Sequence, residues 1–167
     1  MPPPTAREPG LVGAALTGDF YAGVILDLIH VHPAMLRLLL AAKPADRIML
    51  VSDAMSVAGT ELTGFSLQGR KILRRNGRLE TADGVLAGAD LSLAQAVRNA
   101  VTSLGVELAQ AVAMASAVPA DFLGLSTQVG RIASGLRADM VLLDANFSVL
   151  GTFLAGAWQG EPGVLRA

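Results

Sequence analysis

Residues 24–53 read VILDLIHVHPAMLRLLLAAKPADRIMLVSD, and this stretch decides the fold class. Val24-Ile25-Leu26 is a short run rich in β-branched side chains and reads as a strand. His32-Pro33 then opens a helix, because proline is tolerated in the first helical turn. That helix carries Met35, Leu36, Leu38, Leu39 and Leu40, and Lys43-Pro44 stops it. Ile48-Met49-Leu50-Val51 is a second apolar strand, ending at Ser52-Asp53. Strand, helix and strand in one short stretch form the unit of a parallel sheet. The class is therefore α/β, with strands buried on both faces.

Toward the C-terminus the pattern changes. Phe65, Leu67, Ile72 and Leu79 lie in short segments around Asn76-Gly77, a hairpin-turn dipeptide, and Ala82-Asp83-Gly84 makes another turn. A small antiparallel β-hairpin insert is predicted at about 64–86. Ser92-Leu93-Ala94-Gln95 has the form of a capping box, in which serine caps an amide and glutamine reaches back. Leu93, Val97, Val101 and Leu104 follow at helical spacing, and Gly105 closes the helix. A second helix is expected from about Glu107 to Ala117, ended by Pro119. From Val129 onward the chain turns β-like, with Val141-Leu142-Leu143, Val149-Leu150 and Thr152-Phe153-Leu154. Residues 1–10 are proline-rich and read as irregular. A complete eight-fold β/α barrel needs ~250 residues. The 167 residues here have room for two or three barrel strands.

Composition narrows the function classes. The chain is 52% hydrophobic and 16% charged, which argues against disorder. Its net charge of −1, without a basic block, points away from nucleic acid. The absence of cysteine excludes a disulfide framework and a thiolate metal site. No run reaches the ~18 apolar residues of a spanning helix. The first residues also lack the basic-then-apolar order of a signal peptide. The expectation is a cytoplasmic protein with neither membrane nor nucleic acid as partner.

Chemistry in α/β folds gathers beyond the carboxyl ends of parallel strands. Two places qualify here: Asp27-Leu28-Ile29-His30-Val31-His32 after the first strand, and Ser52-Asp53-Ala54 after the second. A carboxylate emerging at Asp53 can take a proton from a metal-activated water and give it to a leaving amine, or it can simply cap a turn. His30 and His32 are the only histidines. Alternate residues of a strand face one way, so His-x-His is a metal-ligand spacing. Pro33 follows at once, however, which makes His32 a helix-capping or surface residue. His30 is either a satisfied core histidine or a hydrogen-bond donor to a polar substrate. Arg7 suits a phosphate through its planar fork, and it equally suits solvent. Leu86-Ala87-Gly88 precedes a helix and reads either as a loop that offers backbone amides to ligand oxygens or as a simple loop.

Several segments then occur in a telling order: Arg7-Glu8-Pro9-Gly10-Leu11-Val12-Gly13-Ala14, His30-Val31-His32-Pro33, Leu50-Val51-Ser52-Asp53-Ala54-Met55, Leu86-Ala87-Gly88 and Ala96-Val97-Arg98-Asn99. Together they resemble the C-terminal half of N-acetylglucosamine-6-phosphate deacetylases, of the amidohydrolase superfamily. The tail from Gly130 to Asp144 resembles a segment shared across many amidohydrolases. The resemblance covers about residues 2–158. It implies the last strands of an amidohydrolase-type (β/α)8 barrel over 1–126 and strands of an accessory β-sandwich domain over 127–167. The implied reaction hydrolyses the acetamide of N-acetylglucosamine 6-phosphate to glucosamine 6-phosphate and acetate.

The resemblance also implies roles. Asp53 would activate the water and then protonate the departing amine. His30 would contact the substrate and polarise the acetyl carbonyl, with Asp27, Leu28 and Ile29 in the same substrate-contacting segment. Leu86, Ala87 and Gly88 would line the sugar pocket. Arg7 would bind the 6-phosphate, often across a dimer interface.

Two departures stand out. The family usually has glycine where this chain has Leu28. The family's metal ligands, a glutamate and two histidines, lie upstream of Arg7-Glu8-Pro9-Gly10, so none falls in this chain, although the implied mechanism needs a divalent metal such as zinc. The implied partners are an amino-sugar phosphate and either a second copy or a complementary N-terminal half. The alternatives are a catalytically inactive remnant that binds sugar phosphate, and another amidohydrolase acting on a small amide. The phosphate-type motif at Arg7 argues against the latter. Half a barrel leaves sheet edges uncovered, so self-association or poor stability is expected of the chain alone.

Overall fold

The computed structural model describes residue 5 and residues 7–161. Most of the proline-rich opening, residues 1–4 and 6, lies outside the described residues, as do 162–167 at the end of the expected β domain. The stretch expected to be irregular gives way at Gly10 to a helix, α1 (Gly10–Thr17), whose N-cap is Pro9 with no side-chain cap.

The deciding stretch folds as strand, helix and strand, but its strands are not buried on both faces as expected: Val24, Ile48 and Leu50 are buried, whereas Gly23 and Val51 are exposed. Strand β1 (Ala22–Ile25) leads to helix α2 (Pro33–Ala42), a short 3-10 turn (Ala45–Arg47) and strand β2 (Ile48–Val51). β1 and β2 pair in parallel, with Ala22 opposite Ile48 and Ile25 opposite Val51. Lys43 ends α2 and is only 4% exposed. Its ammonium is satisfied by the carbonyls of Gly18 at 2.7 Å and Phe20 at 2.9 Å. Behind the sheet lie α3 (Leu93–Leu104) and α4 (Leu108–Ala115). Val24, Leu26, Leu36, Ile48 and Leu50 pack with Ala96, Val97 and Ala100 of α3 and Met114 of α4 into one core. Each such large apolar side chain contributes about 1.5–3 kcal/mol when fully buried.

The insert is larger than a hairpin. Strands β3 (Gly64–Leu67), β4 (Arg70–Arg75), β5 (Arg78–Thr81) and β6 (Leu86–Ala89) form a four-stranded antiparallel meander. Asn76 and Gly77 turn β4 into β5 with φ of 51° and 72°, the doubly left-handed geometry that suits a tight hairpin. The meander has its own small core of Val57, Ile72 and Leu79. It is joined to the rest by Arg74, which donates to both Asp90 carboxylate oxygens at 2.6 and 2.8 Å and to the Thr60 carbonyl at 2.5 Å.

Ser92 caps α3 by accepting from the Gln95 amide at 3.1 Å. The reciprocal bond of the capping box does not form among the described residues. Gly105 closes α3 at φ 72°. Pro119 does not end the next helix, contrary to expectation. α4 stops at Ser116, and Pro119 sits in the first turn of α5 (Ala117–Phe122), where a missing amide hydrogen costs little. The C-terminal β segments begin only at Met140: β7 (Met140–Leu143), β8 (Val149–Leu154) and β9 (Ala157–Trp158) make an antiparallel sheet. Val149-Leu150 and Thr152-Phe153-Leu154 are one strand running through Gly151. The class is thus mixed α/β. Among the described residues no helix is long and apolar enough to cross a membrane.

Candidate functional site

The register of β1 and β2 sets the site. Ile25 lies opposite Val51, so Asp27 and Asp53, each two residues beyond, leave adjacent parallel strands at the same level. This is the carboxyl end of the sheet, where α/β folds bind ligands.

Asp27 is spent on its own turn. Its Oδ1 accepts from the Ile29 and His30 amides, both at 2.9 Å, and its Oδ2 lies 2.6 Å from His30 Nδ1. Burial pushes this carboxyl up, but the His30 ring and the two amides outweigh it and hold the group below the usual carboxylate range. The turn forces Leu28 to φ 67°. Glycine takes that conformation freely, whereas a side chain there costs ~1–2 kcal/mol. Leu28 recovers part of this by packing against the core. Asn99 of α3, 7% exposed, donates to the Leu26 carbonyl at 3.0 Å and fixes the peptide just before Asp27. Sequence reading gave Asn99 no role. The available signal was an amide residue on the apolar face shared by Ala96 and Ala100.

His30 stands half-buried beside Asp27, with 15% of its side chain exposed. His32 caps α2 instead, its Nδ1 accepting from the Ala34 amide at 3.2 Å. Asp53 is exposed, at φ 48°, and its carboxylate makes no hydrogen bond or ion pair among the described residues. The turn-capping alternative falls to its neighbour: the Ser52 hydroxyl oxygen accepts from the Ala54 amide at 3.3 Å.

Leu86, Ala87 and Gly88 form strand β6 rather than a loop, because they pair with Leu79 and Glu80 of β5. This strand runs beside Asp53, whose carbonyl accepts from the Ala89 amide at 2.9 Å. Gly88 permits the approach. A Cβ there would lie 2.5 Å from Met55 Sδ, and φ is 138°. Asp27, Leu28, Ile29 and His30 thus share one turn, while Asp53 and 86–88 are joined through β6. Arg7 is exposed ahead of α1, and no hydrogen bond or ion pair among the described residues ties it to this group.

The sequence model for the amidohydrolase family matches residues 24–158, which include both strand ends, the meander and the C-terminal sheet. The chain belongs to the amidohydrolase family. Within it, an N-acetylgalactosamine-6-phosphate deacetylase of Shewanella sp. is 44% identical over 91% of this chain and 39% of that protein. A putative N-acetylgalactosamine-6-phosphate deacetylase of Escherichia coli is 40% identical over 90% of each chain. Among solved amidohydrolase structures, the N-acetylglucosamine-6-phosphate deacetylase from Pasteurella multocida matches with a TM-score of 0.90 at 32% identity, over 96% of this chain and 42% of that one. The chain therefore spans about two fifths of the Shewanella and Pasteurella proteins and most of the Escherichia coli relative. No group of three His, Asp or Glu side chains able to hold a metal converges among the described residues of this amidohydrolase chain. The residues described here do not by themselves fit a zinc site.

Proposed function

We propose that this chain supplies the catalytic carboxylate and substrate-contacting turn of an amino-sugar-phosphate deacetylase, which hydrolyses the acetamide of N-acetylglucosamine 6-phosphate to glucosamine 6-phosphate and acetate. The observation that carries this reading is the Asp53 carboxylate, unpartnered among the described residues, at the carboxyl end of β2 and level with the Asp27–His30 turn after β1. Asp53 takes a proton from the attacking water and returns it to the departing amine nitrogen. His30 meets the acetyl group, Leu86, Ala87 and Gly88 line the sugar, and Arg7 holds the 6-phosphate. In this reading β1 and β2 are neighbouring strands of a (β/α)8 barrel, within 1–126, and β7–β9 belong to an accessory β-sandwich over 127–167. Amidohydrolases are generally metal-dependent. The metal, with zinc as first choice, would be held by residues that a complementary N-terminal half provides.

A second reading changes only the sugar. The names of the relatives at 44% and 40% identity favour the C4 epimer, N-acetylgalactosamine 6-phosphate. Both readings are tested by acetate release from each sugar phosphate, using this chain with zinc, alone and mixed with the upstream segment of a matching deacetylase. Release only from the mixture, lost in Asp53→Asn, is expected, and the faster sugar decides between the epimers. Release by the chain alone would show that it assembles a metal site of its own. Release that survives Asp53→Asn would remove Asp53 from the reaction.

A further inference from the structure

The geometry points to Asp27 as a positioning residue that decides which ring nitrogen of His30 carries hydrogen. This deepens the reading above and rests on it for His30's contact with substrate.

Asp27 spends both oxygens locally: Oδ1 on two backbone amides and Oδ2 on His30 Nδ1 at 2.6 Å. An ionised carboxylate only accepts hydrogen bonds, so Nδ1 carries the hydrogen. The free ring nitrogen is then Nε2. In the neutral ring Nε2 holds a lone pair and accepts from a sugar hydroxyl or an amide N–H. It donates to a carbonyl only when the ring takes a second proton, with Asp27 as counter-ion. Asn99, holding the Leu26 carbonyl at 3.0 Å, keeps the turn from following the ring. His32 is fixed the opposite way. Its Nδ1 accepts from the Ala34 amide, so its neutral ring carries hydrogen on Nε2. The chain's two histidines therefore hold opposite tautomers, two residues apart.

With only two histidines, the test is direct. The full chain is labelled with 15N-histidine, and long-range 1H–15N spectra are recorded over a pH series. His32→Gln assigns the signals. One ring protonated on Nδ1 (His30) and one on Nε2 (His32) is the expected result.

In Asp27→Asn the amide oxygen keeps the two backbone donors and the NH2 group faces Nδ1. Hydrogen on His30 should then move to Nε2 while the His32 pattern stays. If that variant fails to fold, Asp27→Ala should release His30 to the averaged pattern of free histidine. An unchanged His32 signal then shows that the start of α2 is intact. A wild-type His30 protonated on Nε2, or averaged over both nitrogens, overturns the assignment, as does a His30 pattern that neither variant alters. No substrate or metal enters these spectra. A locked His30 in an inactive mixture would therefore sink the deacetylase reading alone, and an averaged His30 in an active mixture would sink only this inference.

Discussion

Left-handed backbone recurs along the chain, at Phe147 and Ala155 of the C-terminal sheet among other places, and two regions fill it with different residues. In the meander, Gln68-Gly69 and Asn76-Gly77 take it at exposed turns, with φ of 49°, 77°, 51° and 72°. Each pair contains glycine, and asparagine tolerates the conformation well. At the strand ends the same backbone falls on Leu28 and Asp53, at 67° and 48°. Neither is glycine, although aspartate tolerates the conformation as asparagine does, and the backbone there is held by the local Asp27 fork, by the Asn99 bond to Leu26, and by the Ala89 amide on the Asp53 carbonyl. The meander turns where its local residues prefer to turn. At Leu28 the strand end turns where the hydrogen bonds around it, rather than its own residue type, favour turning.

That contrast can be tested from its strongest claim downward. Asp53→Asn in the complemented enzyme should lower acetate release by about 10²–10⁴-fold with little change in melting temperature. A loss of stability comparable to the loss of rate would make Asp53 structural. Next, Asn99→Ala leaves the Leu26 carbonyl without its buried donor and should cost about 1–3 kcal/mol in urea unfolding. An unchanged midpoint would show that α3 does not hold the strand end.

Acid should weaken the Asp27 turn. The folded carboxyl titrates below its ordinary value, so the folded state binds fewer protons than the unfolded one through that range. Its stabilising contribution is complete above the ordinary value of ~3.9 and is lost as pH falls through the lower folded value. Stability measured by urea unfolding should fall less steeply with acid for Asp27→Asn than for wild type, and equal slopes would refute the linkage. The smallest effects compare the two regions directly. Gly77→Ala meets open space and should cost only the backbone term of about 1 kcal/mol. In Leu28→Gly, relief of a similar backbone term opposes lost apolar packing, so stability should move by less than about 1 kcal/mol. A large loss there would mean that packing, not conformation, governs the turn.

Much of this was legible because single residues punctuate the chain. Pro33 and Lys43-Pro44 bound α2, Asn76-Gly77 places a hairpin turn, and Ser92 with Gly105 brackets α3. α1 was not legible, because Pro9 gives it no side-chain cap and glycines at 10 and 13 weaken its pattern. Pro119 misled because proline marks both a helix stop and a helix start, and only the backbone at Ser116 (φ −138°, ψ −69°) separates the two. In the candidate site, the position of Asp53 followed from four apolar residues before it. What Asp27 does with its oxygens did not, although an aspartate whose oxygen takes the amide two residues on is a recognisable turn device. The left-handed backbone at Leu28 was hidden, since leucine carries no signal for it.

The chain has two lysines, one in each region compared above. Lys71 on β4 is exposed, whereas the Lys43 amine is closed off against the Gly18 and Phe20 carbonyls. An acylating reagent reaches Lys71 at any moment but reaches Lys43 only when the end of α2 lifts from the segment before β1. The ratio of the two labelling rates is therefore a built-in clock for how often the strand–helix–strand unit breathes, read by mass spectrometry without any engineered probe.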